Sequence, residues 1–316
     1  MADERILQKL TPEHLKSCYH VFFISNPICG IVAAMFAEYS GIPKDRLITF
    51  PLRNIDILYE SIETILVESQ LTDRILEKVG LNYVGQRVCA ELKRLNAPFI
   101  LYAPWYIPHI QIALRNPKCM GHAYIEEGQV SFKNHATFPI GADLNLLGFQ
   151  KKQAKFAESK QYLFRDDAFL FIRIHPAAFS FVARKKSLTL DNFGVVTKTY
   201  RPRLYGVKTI GIGPAPRRVQ KRFFEHIYSK IAQTLPAGSV LKLHPGYSQD
   251  PEKIERIREI VTIESSGAIT LCDNDTIIEA EMMIEPKKLF GPQSSLQQYA
   301  QFFGSSYNLQ QFLSIC

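Results

Sequence analysis

Two adjacent glutamates have the residue type and the spacing that acid–base chemistry needs. Glu126 and Glu127 follow an apolar run that ends at Ile125, and Gly128 comes directly after them. Successive side chains of a strand point to opposite faces, so one carboxylate can face a ligand while the backbone or a cation holds the other. A partly buried carboxyl beside a second negative charge has a raised pKa, which suits a general base. The pair predicts a general base at the end of a strand, and a solvated turn has the same local pattern.

A histidine stands at a second strand end. The stretch Lys242–Gly246 (KLHPG) follows a buried run, and Pro245 should end the strand because proline cannot donate a ladder hydrogen bond. His244 is therefore expected at the carboxyl edge of a sheet, where open α/β folds bind ligands. His175 is also followed by proline after an apolar run, so the dipeptide alone does not separate a functional histidine from a structural one.

Two serines follow a third strand end, directly before Leu296–Phe303, a segment predicted to be helical. Ser294 and Ser295 could cap this helix, since serine is a preferred N-cap residue. The same geometry offers two hydroxyls and backbone N–H groups to a phosphate. Both interpretations stay open at this point. Glu281 lies between the histidine and the serines, and it could accept hydrogen bonds from ribose hydroxyls.

Short apolar runs alternate with longer segments of helical spacing, which predicts parallel sheets with crossover helices. The alternation occurs twice around a charged middle region. We therefore expect an α/β protein with two Rossmann-like domains, residues 1–200 and 201–316, that face a central cleft. The predicted strands are His20–Ser25, Arg46–Phe50, Pro98–Tyr102, His122–Ile125, Ala168–Ile174, Val207–Ile212, Ser239–Leu243, Ala268–Leu271 and Lys288–Gly291. The predicted helices are Ile31–Tyr39, Ile65–Asn96, Arg217–Leu235 and Pro251–Ile263.

Composition narrows the class of protein. The 316 residues carry a formal net charge of +8, which favours an anionic partner such as a nucleotide, an acidic glycan, anionic lipid or nucleic acid. The six cysteines are scattered without a CxxC pair and the histidines do not cluster, so we expect neither a metal site nor a disulfide framework. The first ten residues lack the apolar core of a signal peptide, and apolar runs fall far short of the roughly 20 residues that span a bilayer.

These features predict a cytoplasmic protein that could rest peripherally on the anionic inner face of a membrane. The residues expected to carry that contact are Lys151, Lys152, Lys155, Arg217, Arg218, Lys221 and Arg222.

The order of the motifs resembles that of bacterial sialyltransferases with the glycosyltransferase B fold, including the lipooligosaccharide and capsule polysialyltransferase types. Those families carry an acidic-acidic-Gly motif in the first domain. In the second domain they carry His-Pro, a Glu before an apolar stretch, and a Ser-Ser or Ser-Thr pair. Here Ser294 lies 50 residues after His244, whereas His175 lacks this downstream context and is interpreted as structural. The Glu-Glu pair departs from the Asp-Asp or Glu-Asp of many relatives.

The resemblance implies an inverting, metal-independent sialyltransferase that needs no cofactor. The donor would be CMP-sialic acid, and the acceptor a hydroxyl of a capsule or lipooligosaccharide glycan. Residues 1–200 would carry the general base, and residues 201–316 would bind the donor. Glu126 would deprotonate the acceptor, Glu127 would be the secondary acid, and His244 would donate to the leaving phosphate. The donor would be bound by Lys242, Pro245, Gly246, Glu281, Ser294 and Ser295, and Ser25 and Asn26 could contact the sialic acid carboxylate.

Two other functions remain open from the sequence. A transferase for Kdo or for another CMP-activated nonulosonic acid would use the same chemistry. A basic α/β protein could also bind nucleic acid, but no recognition motif is visible and the aromatic residues lie mostly in strand-like runs, so no nucleic acid partner is expected.

Overall fold

The computed structural model describes residues 16–51, 63–64, 83–105, 110, 113–132, 136–138, 162–248 and 250–309. The chain divides into two compact units after Thr199. Each unit contains a parallel β-sheet with its own buried core. Among the described residues, no helix is long and apolar enough to cross a membrane.

The first unit contains a seven-stranded parallel sheet and a separate pair of parallel strands among its described residues. The strands are β1 (Tyr19–Ile24), β2 (Leu47–Pro51), β3 (Glu63–Thr64), β4 (Phe99–Ala103), β5 (Cys119–Ile125), β6 (Ala136–Phe138), β7 (Tyr162–Arg165), β8 (Leu170–Arg173) and β9 (Ser187–Thr189). The order in the large sheet is β3-β2-β1-β4-β5-β8-β9, and β6 pairs with β7. The central strands β1, β2 and β4 are almost wholly buried, as expected for strands of a parallel sheet that is covered on both faces.

Helix α1 (Pro27–Tyr39) connects β1 to β2. Pro27 occupies the first turn, where its missing N–H costs no hydrogen bond, and the Asn26 side chain accepts from the Cys29 N–H at 3.0 Å. Ten consecutive residues of this helix, 28–37, are buried, so it is a core helix. The unit also contains α2 (Tyr83–Arg94) and α3 (Gly194–Thr199).

The second unit contains a five-stranded parallel sheet in the order β12-β11-β10-β13-β14. Its strands are β10 (Thr209–Ile212), β11 (Val240–Lys242), β12 (Thr270–Leu271), β13 (Lys288–Gly291) and β14 (Ser306–Leu309). Its helices are α4 (Phe224–Thr234), α5 (Pro251–Glu264), α6 (Ile278–Ile284) and α7 (Leu296–Phe302). Apolar residues of α4, α5 and β11 form the buried core on one face of the sheet.

Both sheets reverse their strand order once, between β1 and β4 and between β10 and β13. In open α/β sheets, ligands bind outside the carboxyl ends of the strands at such a switch point. The switch point of the second unit depends on Gly291. A Cβ there would lie 2.7 Å from the Ile212 Cβ and 2.9 Å from the Tyr307 hydroxyl, so no larger residue fits between these neighbours.

The structure confirms the α/β class, with two parallel-sheet, Rossmann-like units. Each of the nine predicted strands has a counterpart, with boundaries that differ by a few residues. The prediction for Arg217–Leu235 is wrong at its start: Pro216–Arg218 and Lys221–Phe223 are separate 3-10 turns, and the α-helix begins at Phe224. Of the predicted helix Ile65–Asn96, the described part runs from Tyr83 to Arg94.

A neutral histidine is buried in the first unit. His122, on β5, lies with its Nε2 3.8 Å from the Asp167 carboxylate, and Nε2 has no hydrogen-bond partner among the described residues. Asp167 is paired with the Arg165 guanidinium at 2.7 and 2.6 Å. Burial lowers the pKa of His122 to about 4, and the negative charge of Asp167 opposes this shift only in part.

We expect His122 to make the first unit sensitive to acid. Its folded-state pKa of about 4 lies below the ordinary 6.5, so the unfolded chain takes up the proton first as the pH falls. The contribution of the neutral His122 ring to the free energy of unfolding is fully present above pH 6.5. It is lost as the pH falls from 6.5 to about 4, and the loss is on the order of 3 kcal/mol. Urea unfolding of His122→Phe should show a correspondingly smaller loss over that range. Substitution of the exposed His226 by Gln serves as the control, and an unchanged acid sensitivity in His122→Phe would contradict the assignment.

Candidate functional site

The two adjacent acids at the end of β5 differ in their surroundings. Glu126 has an exposed fraction of 0%. Its Oε2 accepts hydrogen bonds from the backbone N–H of Ile174 at 2.7 Å and of His175 at 3.0 Å, and its own N–H donates to the Ile172 carbonyl at 2.9 Å. Glu126 therefore ties the carboxyl end of β5 to the carboxyl end of β8. Its buried carboxylate is the one that the backbone holds.

Glu127 is half-buried. Its N–H donates to the Ser131 hydroxyl at 3.0 Å, and its Oε2 accepts from the Val130 N–H at 3.3 Å. Gly128 has a φ of 100°, a conformation that favours glycine and lets the chain turn directly after the acids. Of the two acids, Glu127 is the one whose side chain reaches the surface.

The loop after β1 contacts the segment that carries the two acids, whereas the predicted contact of Ser25 and Asn26 with a sialic acid carboxylate stays a prediction. The Asn26 Nδ2 donates to the Glu127 carbonyl, while its Oδ1 caps α1. Ser25 is buried, with its hydroxyl 3.3 Å from the Cys29 sulfur. Burial raises the pKa of the Cys29 thiol to about 12, and the negative charge of Glu127 contributes to this shift. Asn26 therefore lies beside the acids, whereas Ser25 faces the interior.

His175 also belongs to this edge of the first sheet. It follows β8, its backbone N–H binds Glu126, and its ring packs edge-on against Phe132 with the centroids 4.9 Å apart. The sequence interpretation had set this residue aside as structural. The sequence already indicated its position, a His-Pro pair directly after an apolar run, and its structural role stays a prediction.

In the second unit, His244 is exposed at the end of β11. Its Nδ1 accepts from the Gly246 N–H at 2.9 Å, at the start of the short 3-10 helix Pro245–Tyr247. A neutral imidazole has one donor and one acceptor nitrogen, so Nε2 carries the proton. A Cβ at Gly246 would lie 3.1 Å from the Cδ of Pro216, so glycine permits close packing of this loop against the turn after β10.

Lys242 is buried directly before this loop, and its ammonium is engaged by the backbone. The Nζ donates to the carbonyls of Asp273 at 3.0 Å and Asn274 at 2.5 Å, which holds the segment after β12. Burial lowers the pKa of Lys242, and neighbouring acids oppose that shift. A direct contact between Lys242 and a nucleotide stays a prediction.

Glu281, the predicted ribose ligand, has an exposed fraction of 1%. Its Oε1 accepts from the Tyr200 hydroxyl at 2.8 Å and from the Arg203 N–H at 2.7 Å, and its Oε2 accepts from the Leu204 N–H at 3.2 Å. These bonds fix the segment that enters β10. They give Glu281 a structural role, and its contact with a ribose stays a prediction.

A second acid on the same helix escaped the sequence interpretation. Glu279 lies in the first turn of α6 and is half-buried. Burial raises its pKa, while the positive charge of Lys242 acts in the opposite direction. The signal was the spacing in "IIEAEMMIE", where Glu279 and Glu281 are separated by one residue. Residues two positions apart project from different sides of a helix. Glu281 faces the buried side, so Glu279 points in another direction.

The two serines differ as well. The Ser294 hydroxyl accepts from the Leu296 N–H at 3.3 Å and its carbonyl accepts from the Gln297 N–H at 3.2 Å. Ser295 directly precedes α7, and its side chain makes no capping hydrogen bond within the described part of the chain. Both serines are half-buried. The local hydrogen bonds thus explain Ser294 as a cap but leave Ser295 unexplained.

Part of the predicted basic surface can be described. Arg218, Lys221 and Arg222 are exposed on the 3-10 turns before α4, and the Arg222 guanidinium lies 4.6 Å from the ring centroid of Phe223. Lys151, Lys152 and Lys155 lie outside the described residues, as does the side chain of Arg217. Among the described residues there is no group of three or more His, Cys, Asp or Glu side chains that could hold a metal ion.

No family model and no curated protein matches the sequence. Solved structures match in fold. UDP-N-acetylglucosamine 2-epimerase from Rickettsia bellii has a TM-score of 0.52 and 9% identity, and the match covers 93% of this chain and 80% of that chain. A candidate UDP-N-acetylglucosamine 2-epimerase from Listeria monocytogenes has a TM-score of 0.52 and 11% identity, covering 93% and 79%.

The glycosyltransferase B domain of a sialyltransferase from Photobacterium damselae matches with a TM-score of 0.48 and 10% identity, covering 89% of this chain and 88% of that chain. At such identities a likeness shows the fold alone. The fold is therefore the two-domain α/β architecture of glycosyltransferase B type, with a parallel sheet in each domain.

Proposed function

We propose that the chain is an inverting glycosyltransferase that moves sialic acid from CMP-sialic acid to a hydroxyl of a glycan acceptor. One observation carries the proposal. The carboxyl edge of the first sheet bears a partly accessible acid, Glu127, and that of the second sheet bears an exposed histidine, His244, whose Nε2 is the donor. An acid that accepts a proton and a group that stabilises a leaving phosphate are the two functions that inverting transfer requires.

In this mechanism, Glu127 accepts the proton of the acceptor hydroxyl, which attacks the anomeric carbon from the face opposite CMP. We assign this role to Glu127 rather than to Glu126 because Glu126 is buried and already accepts two backbone hydrogen bonds. Glu126 then acts as a positioning residue, since it fixes the carboxyl end of β5 from which Glu127 projects. Asn26 holds the same loop through the Glu127 carbonyl.

In the second unit, His244 donates from Nε2 to an oxygen of the leaving CMP phosphate. CMP leaves with a single phosphate, which carries less charge than a diphosphate, so a histidine and hydroxyl donors can take the role that a divalent metal often has. Ser295 is the proposed hydroxyl donor. Helix α7 has only seven residues, so the proposal depends on the hydroxyl rather than on the helix dipole.

The ribose contact is best assigned to Glu279. It lies in the first turn of α6, and its negative charge interacts with the positive charge of Lys242. Lys242 is the last residue of β11 and lies directly before the His244 loop. Glu281 is buried and already accepts three hydrogen bonds from the segment from Tyr200 to Leu204. Carboxylates that accept hydrogen bonds from ribose hydroxyls recur in nucleotide sites of α/β folds.

The two serines provide a test of the donor site. Ser295→Ala should weaken CMP binding roughly 10- to 150-fold, because a hydrogen bond to a charged oxygen contributes about 1.5–3 kcal/mol, and the melting temperature should not change. Ser294→Ala is the matched control, since losing its cap should cost about 1 kcal/mol of stability. Calorimetric titration with CMP beside thermal unfolding measures both quantities. Unchanged affinity in both variants would place the phosphate elsewhere.

A UDP-sugar is the second candidate donor, because the two solved structures with TM-scores of 0.52 are both described as UDP-N-acetylglucosamine 2-epimerases. The purified protein should be incubated separately with CMP-sialic acid, CMP-Kdo and UDP-N-acetylglucosamine, with and without glycan acceptors. Release of CMP from the first donor supports the proposal. Release of UDP, or epimerisation of the UDP-sugar, supports the alternative. Binding to random DNA that falls steeply with salt, without turnover of any sugar, would favour a nucleic-acid-binding function.

A further inference from the structure

The segment that leads into β10 exposes an aromatic side chain at the tip of a turn. Tyr205 has an exposed fraction of 77%. It precedes Gly206, whose φ of 78° suits the third position of a turn, and the Val207 N–H donates to the Leu204 carbonyl at 3.0 Å. Leu204 is buried at the base of this turn. The Tyr205 side chain therefore projects from a closed turn rather than packing into the core.

Buried polar groups hold this turn in place. The Lys287 side chain is fully enclosed, and its Nζ donates to the Leu204 carbonyl at 2.7 Å. The Gly206 N–H donates at 3.0 Å to Oε2 of Glu285, which also pairs with Lys287. Glu281 accepts the Leu204 N–H at 3.2 Å. The turn is thus ordered without a partner, so binding at its tip does not carry the cost of ordering it.

A second exposed aromatic side chain lies at the same edge of the sheet. Phe302 ends α7 with an exposed fraction of 36%, and its ring contacts that of Phe303. The chain then enters β14, where the Ser306 N–H donates to the Lys287 carbonyl at 3.0 Å. Strands β10 and β14 flank β13, so their first residues are about 10 Å apart. The segments that carry Tyr205 and Phe302 therefore meet at the amino edge of the second sheet.

The segments that form this edge have a net positive charge. Lys208 and Lys288 are exposed, and the Lys288 N–H donates to the Lys208 carbonyl at 2.8 Å. Neither lysine forms a salt bridge with another residue that the structure describes. Residues 201–209 and 286–309 contain no Asp or Glu, and Glu285, between them, is paired with Lys287. The edge thus combines two exposed aromatic rings with positive charge.

From this arrangement we propose that Tyr205, Lys208, Lys288 and Phe302, here called the amino-edge surface, bind an anionic membrane surface. Aromatic side chains favour the boundary between lipid and water, and lysine side chains can cover apolar surface while their ammonium groups reach anionic headgroups. A glycan or a nucleic-acid strand is bound in a groove, whereas Tyr205 projects from a turn. The proposal is independent of the proposed function, since no step of sugar transfer involves these residues.

This surface differs from the basic residues that the sequence predicted for such a contact. Arg218, Lys221 and Arg222 follow the carboxyl end of β10, whereas the amino-edge surface lies at the other end of the same sheet. Contact through the amino edge would leave the carboxyl edge, which carries His244, turned away from the lipid. The cations that follow the carboxyl end of β10 therefore provide a matched control.

Vesicle binding tests the proposal without any nucleotide sugar. The whole chain should be sedimented with vesicles of phosphatidylcholine, alone or with an equal part of phosphatidylglycerol. We expect Lys208→Ala/Lys288→Ala to lower partitioning onto the anionic vesicles about 30-fold, because two cations near an anionic surface are lost. The control Lys221→Ala/Arg222→Ala should partition as the wild type does. Both variants should keep the melting temperature of the wild type, since all four side chains are exposed.

A tryptophan at the tip of the turn measures the contact itself. Fluorescence of Tyr205→Trp should be quenched by brominated phosphatidylglycerol more strongly than that of the wild type, whose one tryptophan is Trp105. Equal quenching would overturn the inference, as would a wild type that does not bind anionic vesicles. Loss of partitioning in the control alone would move the contact to the carboxyl edge. If the amino-edge variant loses affinity for the acidic glycan heparin but not for vesicles, the surface binds a glycan and the inference also fails.

Discussion

Glu127→Gln is expected to lower turnover roughly 10²–10⁴-fold while leaving the affinity for CMP nearly unchanged, because the amide cannot accept the proton of the acceptor hydroxyl. The substitution preserves the size of the side chain, and the Val130 N–H can still donate to the amide oxygen. The melting temperature should therefore change little. The measurement is kcat at saturating CMP-sialic acid and acceptor, with calorimetric binding of CMP as the check that the second unit is intact.

The neighbouring acid provides the matched control. Glu126→Gln removes a buried charge that accepts two backbone hydrogen bonds, so its main effect should be on stability, and turnover should fall less than in Glu127→Gln. If instead Glu126→Gln abolishes transfer at an unchanged melting temperature and Glu127→Gln remains active, then Glu126 is the base, as the sequence resemblance implied. A pH–rate profile of each variant would show which acid accounts for the loss of rate at low pH, because a general base must be deprotonated to work.

The sequence could predict that one acid is held and the other faces a ligand, but it could not predict which. Alternation along a strand places the two side chains on opposite faces. The identity of the held acid depends on β8, which pairs with β5 although its first residue lies 45 positions after Ile125. The N–H groups of Ile174 and His175 that bind Glu126 come from that distant segment. A contact of such long range leaves no local signature in the chain.

Whether a strand could be predicted from the sequence depends on whether it lies at the centre or at the edge of its sheet. Central strands are short apolar runs because they are buried on both faces, so β1, β4 and β10 could be predicted from composition alone. Edge strands such as β9 and β14 are short and have no buried residue, and their polar residues resemble those of loops. The contacts of His175 could not be predicted for a related reason, because its partners in residues 126–132 are distant in sequence.

Glu281 is expected to be a stability residue rather than a ligand. Glu281→Ala should lower the free energy of unfolding of the second unit by about 3–5 kcal/mol, because it leaves two buried donors and one partly buried donor without their acceptor. The donors are the Tyr200 hydroxyl and the N–H groups of Arg203 and Leu204. The loss should extend to the start of α6, since Tyr200 in turn accepts from the N–H of Ile277, the residue directly before that helix, at 3.1 Å. Urea unfolding measured by fluorescence and circular dichroism gives this free energy.

Glu279 offers the matched control for this experiment, because it lies on the same helix and is only half-buried. Glu279→Ala should cost little stability and should weaken CMP binding about 10-fold, as expected for the loss of a hydrogen bond between a carboxylate and the ribose. Glu281→Ala, measured at a temperature where it remains folded, should bind CMP as the wild type does. The reverse result, with full stability and lost CMP affinity in Glu281→Ala, would return the ribose contact to Glu281. In that case, binding of the donor would have to release the segment from Tyr200 to Leu204.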